Sequence, residues 1–281
     1  MELEREPGAI EIRPLRTNEE FQACLTLQRE TWGDAPGTLV PTPLLLVVQR
    51  IGGVSAGAFD ANDRLLGFVF GMTGIEHGVP VHWSDMLAVR PEARNRGLGR
   101  LLKEYQREQV ARLGVRRIYW TYDPLVAKNA YLNMVVLGAR VAEYVPDMYG
   151  DTGSPVHAGI GTDRIIVAWD LDAAGRHGGS ALPAMDAEAE RRVELNPSGQ
   201  AFAPPDAPPD APPARVSIAI PADVFAVRAR SPDEALRWRL STREAFQWAL
   251  ARGYEVELVE RDAARERASY FLVRRSMEQA S

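Results

Sequence analysis

At 281 residues and 46% hydrophobic content, the chain can bury one large core or two smaller ones, yet no stretch is apolar for long enough to span a bilayer. A formal net charge of −5 argues against general nucleic-acid binding. The single cysteine, Cys24, excludes an internal disulfide and a zinc cluster, and with the acidic, signal-free start Met1-Glu-Leu-Glu-Arg-Glu6 it sets the expectation of a cytoplasmic protein.

The elements follow in chain order. Ile10 to Leu15 reads as a short strand. Thr17-Asn18-Glu19-Glu20 is a helix start, with a side-chain cap and acids in the first turn, and Phe21, Cys24, Leu25 and Leu27 recur at near-helical spacing towards Gly33. Pro43 to Val48 fits a second helix, stopped by Gly52-Gly53. Ser55–Asp60 and Leu65–Met72 form a hairpin around Asn62-Asp63, and Val81 to Arg90 is a further strand. After a glycine pair, Leu98, Leu101, Leu102, Tyr105 and Leu113 lie near one stripe and should face the sheet. Ile118–Asp123 is a strand, Ala127–Gly138 a helix with a glycine stop, and Asp163–Asp170 a late strand.

Between strand and helix stands Arg94-Asn95-Arg96-Gly97-Leu98-Gly99. Glycines permit positive φ and close approach of a ligand, and the helix that follows puts free amides and the positive end of its dipole at the same place: an anion site. The Rossmann fingerprint needs a third glycine where Leu102 stands, and no Gly-Lys-Ser/Thr completes a P-loop. Arg90, Arg94, Arg96, Arg100, Lys103 and Arg107 supply counter-charge for nucleotide phosphates. The bland alternative is a glycine turn before a surface helix whose arginines are solvated.

The loop matches Arg/Gln-x-x-Gly-x-Gly/Ala and, with the order of elements, resembles the GNAT superfamily of N-acyltransferases over about residues 9 to 171. That resemblance implies an α/β fold with a mixed, splayed central sheet flanked by helices. It implies acetyl-CoA or another acyl-CoA as co-substrate, with no metal. Amides from Asn95 to Arg100, through Arg96, Gly97, Leu98 and Gly99, would cradle the pyrophosphate, with Arg94 in the same cofactor set. Leu87, Ala88 and Val89 would bond the pantetheine arm as an added strand, and Asn129 joins the cofactor set.

Two residues are candidates for proton transfer. Asp85 alternates with Trp83, Leu87 and Val89, so a strict strand places a carboxylate on a mostly apolar face, where desolvation would raise its pKa and fit it to accept a proton from an amine. The alternatives are an arginine-paired Asp, or a bulge that flips the parity. The usual GNAT helix pattern carries a Tyr general acid; counted from Gly138, that place holds Met134. Tyr131, one turn earlier and flanked by Asn129 and Asn133, is a substitute acid or a packing aromatic, and a CoA thiolate can also leave unaided.

His77, His82, His157 and His177 are scattered, most reading as surface or turn residues; His157 lies in the glycine-rich loop Tyr149–Gly161, a candidate substrate-side wall. Expected organisation is a catalytic domain at 1–171, a flexible Pro-rich linker at 172–214 and a small strand-helix-strand-strand unit at 215–281. In that unit Val216–Ile220 is a strand, Ser231-Pro232-Asp233-Glu234 opens a helix running to Arg252, and Tyr254–Val259 and Tyr270–Arg274 are strands. It packs on the first domain, completes the substrate cleft or supports a homodimer. Arg237, Arg239 and Arg243 beside Trp238 are fit for a ligand carboxylate or form a solvated face.

The chain is also similar, over nearly its whole length, to a bacterial GNAT branch with such an extension, through Tyr122-Asp-Pro-Leu125, Asn129-Ala130, Tyr144–Gly150, Asp163-Arg164 and Ile220-Pro-Ala-Asp223. Some relatives there are thought to acylate amino acids, including with succinyl groups. The resemblance thus implies transfer of an acetyl or other short acyl group to a primary amine of a small molecule. A second reading is a CoA-binding regulatory or assembly protein, which the absent Tyr at 134 permits.

Overall fold

The computed structural model describes residues 9–35, 37–150, 159–172, 192–199, 201–205 and 212–274. The chain divides into two compact units, one built from 1–120, 152–156 and 169–174, the other from 121–151, 157–168 and 175–281. Most of the loop containing His157, the residue itself included, and also His177 lie outside the described residues.

The first unit holds β1 (Glu11–Pro14), α1 (Asn18–Trp32), α2 (Thr42–Arg50), β2 (Val54–Phe59), β3 (Leu65–Glu76), β4 (Val79–Val89), α3 (Leu98–Ala111) and the start of β5 (Arg117–Tyr122). Its strands run in the order β1-β2-β3-β4-β5, antiparallel except for β4 with β5, so the sheet is mixed. α1 starts in a full capping box: Thr17 Oγ1 accepts from the Glu20 amide while Glu20 accepts from the Thr17 amide. Phe21, Cys24 and Leu27 on its buried face meet Leu45 and Val48 of α2 and Phe59, Phe68 and Phe70 of the sheet in one core.

α3 differs from expectation. Leu98, Leu102, Gln106 and Val110, spaced by four, are buried together with Lys103, whereas Leu101 and Leu113 are 44% and 53% exposed. Hydropathy would place the leucines inside. The sheet beneath instead offers polar partners, which admit a lysine and a glutamine to the buried face.

The second unit holds α4 (Ala127–Tyr131), β6 (Arg140–Val145), most of β7 (Arg164–Asp170), β8 (Val193–Glu194), β9 (Arg215–Pro221), α5 (Val224–Arg230), α6 (Pro232–Leu250), β10 (Tyr254–Asp262) and β11 (Arg267–Arg274). β6 and β7 pair antiparallel, and a separate sheet has the order β10-β11-β9-β8. α6 opens as anticipated, with Ser231 accepting from the Glu234 amide and Pro232 in the first turn. Inside the segment expected as linker, β8 pairs parallel with β9, and Asn196 is buried, exchanging hydrogen bonds with the backbone of Ala219 at 2.8 and 3.0 Å.

Neither expectation for the α6 arginines holds at Arg239 and Arg243. Arg239 is fully buried; its Nη2 donates to Asp123 at 2.7 Å and its Nε to the Ile160 carbonyl at 2.9 Å. Arg243 forks onto Asp163 at 2.5 and 2.9 Å and reaches Asp147 at 2.9 Å. The carboxylates these cations take belong to the chain itself. Desolvation pushes the Asp163 carboxyl up, but hydrogen bonds from Arg243 and Tyr144 outweigh it and hold it below the ordinary range. Removing one partner from such a buried pair leaves a lone charge, so Arg239→Met should cost about 3–5 kcal/mol. Urea unfolding followed by tryptophan fluorescence checks this; an unchanged midpoint would show that the pair contributes nothing net.

Candidate functional site

Between β4 and α3 the backbone makes the turn that the glycines require. Pro91–Ala93 form a single 3-10 turn; Asn95 and Gly97 then both take left-handed φ, 61° and 76°, a conformation that asparagine and glycine tolerate best. Gly97 is the N-cap of α3 and supplies no capping side chain, so the first amides of α3 are left without a side-chain acceptor. A Cβ on Gly97 would meet nothing within 4 Å, and one on Gly99 only Leu87 at 3.7 Å. Open ground thus lies over a row of N–H groups at the positive end of a 14-residue helix.

The basic residues around it divide. Arg94, Arg96 and Arg100 are exposed on the loop side, Arg94 bracing the turn through Nε to the Val89 carbonyl at 3.0 Å and Arg100 paired with Glu104. Arg90 is committed to the Leu65 carbonyl and Glu30. Arg107 lies over the Trp169 ring, and Lys103 is buried. The counter-charge expected of all of them is reduced to the exposed three.

β4 shares its whole length with β3 but pairs with β5 only where His82 meets Ile118 and Trp83 meets Tyr119. From Ser84 onward, through Leu87, Ala88 and Val89, that edge of β4 has no strand beside it among the described residues. A splayed edge of this kind can accept an extended ligand by main-chain hydrogen bonds.

The register of β4 against β3 shifts where Phe70 faces Met86 and Gly71 faces Ser84, which leaves Asp85 as the extra residue of a β-bulge. The bulge, rather than strict alternation, is what places this carboxylate, and its side chain is exposed. Its pKa is nonetheless raised: the protein mass around it desolvates the charge, and a hydrogen bond with Trp83 only partly opposes this. Openness to water limits the size of that shift, not its direction.

Beneath the bulge lies a buried polar network that hydropathy does not reveal. His82 is a core residue, not a surface one. Gln106 Nε2 donates to His82 Nε2 at 3.0 Å; the ring proton therefore sits on Nδ1, which donates to Thr73 Oγ1 at 3.0 Å, and Thr73 donates on to the Gly52 carbonyl at 2.7 Å. Desolvation and the neighbouring Lys103 charge hold His82 down at about 3, so it is neutral. Lys103 Nζ donates to Ser84 Oγ at 2.7 Å and lies 4.0 Å from the Trp120 ring centroid. With no carboxylate paired to it among the described residues, desolvation lowers its pKa to about 7.

In the second unit, Asn129 and Tyr131 are both exposed on α4, and the guanidinium of Arg261 stands 5.5 Å from the Tyr131 ring centroid. Leu132–Val136 is a π turn, closed by Leu137 N–H to the Leu132 carbonyl at 2.9 Å. In an α-helix Tyr131 and Met134 would be about 60° apart around the axis. A π turn advances less per residue and spreads them further, so Tyr131 and Met134 do not share a face as closely as their spacing implies.

Residues 19–132 match the family model described as Acetyltransferase (GNAT) family. Residues 19–132 thus form a GNAT-family acetyltransferase domain, and the class of activity is that of an acyl-CoA-dependent N-acyltransferase. No curated protein matches it significantly. Among solved structures, the ribosomal-protein-S18-alanine N-acetyltransferase from Escherichia coli is similar with a TM-score of 0.46 and 18% identity, over 59% of this chain and 97% of that one. Arabidopsis thaliana NAA60 in complex with acetyl-CoA gives 0.47 and 15%, over 58% and 99%. An aminoglycoside 6'-N-acetyltransferase complexed with coenzyme A gives 0.42 and 16%, over 58% and 97%.

The buried lysine makes stability depend on pH with a definite sign. Below pH 7 Lys103 is protonated folded and unfolded alike, and burial of the charge opposes folding in full. Between about 7 and 10.5 the unfolded chain keeps that proton and the folded one does not, so stability rises with pH across the window. Thermal midpoints from pH 7 to 9.5 should climb in the parent and lose most of that slope in Lys103→Met; parallel curves would refute the assignment.

Proposed function

We propose that the chain transfers an acetyl or other short acyl group, succinyl included, from its CoA thioester to the primary amine of a small molecule, an amino acid being the first candidate. The observation that carries this reading is the departure of β4 from β5 after Trp83, directly followed by the uncapped start of α3. One continuous segment thereby offers an open strand edge for the pantetheine arm and a row of amides, from Asn95 to Arg100, for the pyrophosphate.

In this reading Leu87, Ala88 and Val89 bond the pantetheine through their backbone, and an amide of the same edge polarises the thioester carbonyl. The amine nitrogen attacks the carbonyl carbon, forming the C–N bond; collapse of the tetrahedral intermediate breaks C–S and releases the CoA thiolate. Asp85 takes the proton the nitrogen loses, directly or through water, and its raised pKa suits it to that task. The departing thiolate has a pKa near the ~8.5 of a free thiol and needs no acid. Tyr131 is therefore not required, while Asn129 is assigned to the CoA set by likeness to the family. The acceptor class rests on the sequence resemblance to an amino-acid-acylating branch.

Gly99 is the better site for testing the loop, because its φ is not positive and a Cβ there makes ordinary contact. Gly99→Glu should weaken CoA binding ~100-fold or more by calorimetry with the fold kept; unchanged affinity would sink the pyrophosphate assignment. Asp85→Asn should lower kcat by ~10²-fold with acyl-CoA affinity retained. Thiol release from acetyl-CoA and succinyl-CoA over a panel of amines tests the acceptor, and turnover with peptide amines alone would overturn the small-molecule reading.

A further inference from the structure

A buried lysine with no counter-ion among the described residues is costly, whether it keeps its charge or gives up its proton, and a methionine would fill the same space without that cost. Packing therefore gives no reason for Lys103. Its contacts do. Among the described residues its one hydrogen bond is to the hydroxyl of Ser84, the residue immediately before the bulged Asp85, and Ser84 is itself buried. A bulge interrupts the ladder and leaves its extra residue unpaired, so the backbone at Asp85 is held less firmly than the rest of β4. Lys103 supplies a tether at that point, and it does so from α3, the helix whose N-terminus carries the glycine loop.

The surroundings are shaped to admit the tether. Opposite Ser84 stands Gly71, and a Cβ there would come within 2.4 Å of His82 Nε2 and 2.6 Å of Gln106 Nε2. The glycine leaves room for the polar network. That network fixes His82 on β4 and Gln106 on α3 to each other, one turn along from Lys103. Trp120 closes the remaining side with its ring face.

We infer that Lys103 is a positioning residue for acyl transfer, clamping the β4 bulge through Ser84 so that Asp85 is presented at a fixed place relative to the start of α3. The inference rests on the reading of Asp85 as the base. Because small displacements of a reacting group cost large factors in rate, the clamp should act on kcat more than on binding.

The test is a set of variants of the full-length protein: Ser84→Ala, Lys103→Met, their combination, Ser84→Thr and Asp85→Asn, assayed well below the unfolding transition with acetyl-CoA and an amine that the parent acylates. Ser84→Ala and Lys103→Met should each lower kcat by ~10-fold or more with KM for acetyl-CoA within about twofold, and the double variant should lose no more than either single one. Ser84→Thr, which keeps the acceptor oxygen, should retain most of the turnover. Additive losses, or losses in KM alone, would overturn the clamp in favour of a merely structural role. Ser84→Ala removes one hydroxyl and decides the matter even if Lys103→Met does not fold: parent-like kcat refutes the inference. Asp85→Asn separates the two readings. Full turnover in that variant refutes the base; slow turnover there beside parent-like Ser84→Ala refutes the clamp alone.

Discussion

The edge that β4 turns towards β5 is paired at His82 and Trp83 and open beyond them, while its other edge stays bonded to β3 as far as Val89. An open edge in the middle of a sheet is a liability unless something pairs with it, because each unmet N–H and C=O is a lost hydrogen bond. The rest of the first unit is organised around that edge. Arg90 and Arg94 brace the turn at its end through the Leu65 and Val89 carbonyls, and α3 is pinned by Leu98, Leu102, Gln106 and Val110 to the sheet it leaves. Packing thus aims the amides of α3 at the same place where the strand edge runs out.

Much of this was legible in the chain because its determinants are local. A capping box at Thr17–Glu20, an Asn-Asp hairpin turn whose Asp63 takes φ 58°, and a glycine N-cap at Gly97 each depend on a few adjacent residues. The bulge was not legible. It is a property of the register between β4 and β3, and only the pairing of Gly71 with Ser84 and Phe70 with Met86 reveals that Asp85 is supernumerary. The same limit applies to Lys103, Gln106 and His82. A hydropathy stripe assigns the polar residues of α3 to water, and nothing short of the tertiary neighbours shows that Ser84, Thr73 and the Trp120 ring will take them in.

The facing of Tyr131 and Met134 was hidden for a different reason. The left-handed Gly138 is where it was expected, φ 65°, but placing those two residues nearly on one face assumes 3.6 residues per turn. Leu132–Val136 winds more widely, so angular positions drift with every residue through the turn. π turns are frequent at functional sites, and no residue type in Leu-Asn-Met-Val-Val signals one in advance.

The second unit shows how charge can hide in a sequence. Arg239 and Arg243 sit on a helix with abundant polar neighbours and read as surface or as a ligand trap. Asp123 and Asp163, far upstream, read as the end of one strand and the start of another, with Asp147 between them. Together they neutralise one another in a buried cluster that also takes the hydroxyl of Tyr144, and the hydroxyl of Tyr270 caps the Pro124 carbonyl beside it. Asp123 and Asp163 stand where burial would be prohibitive without a cation, Asp147 is an exposed further partner of Arg243, and the cations come from residues beyond the Pro-rich segment. α6 is therefore part of what makes Asp123 and Asp163 tolerable in the interior. Their burial and the presence of the C-terminal helix are one physical condition, distributed over more than a hundred residues of chain separation between Asp123 and Arg239.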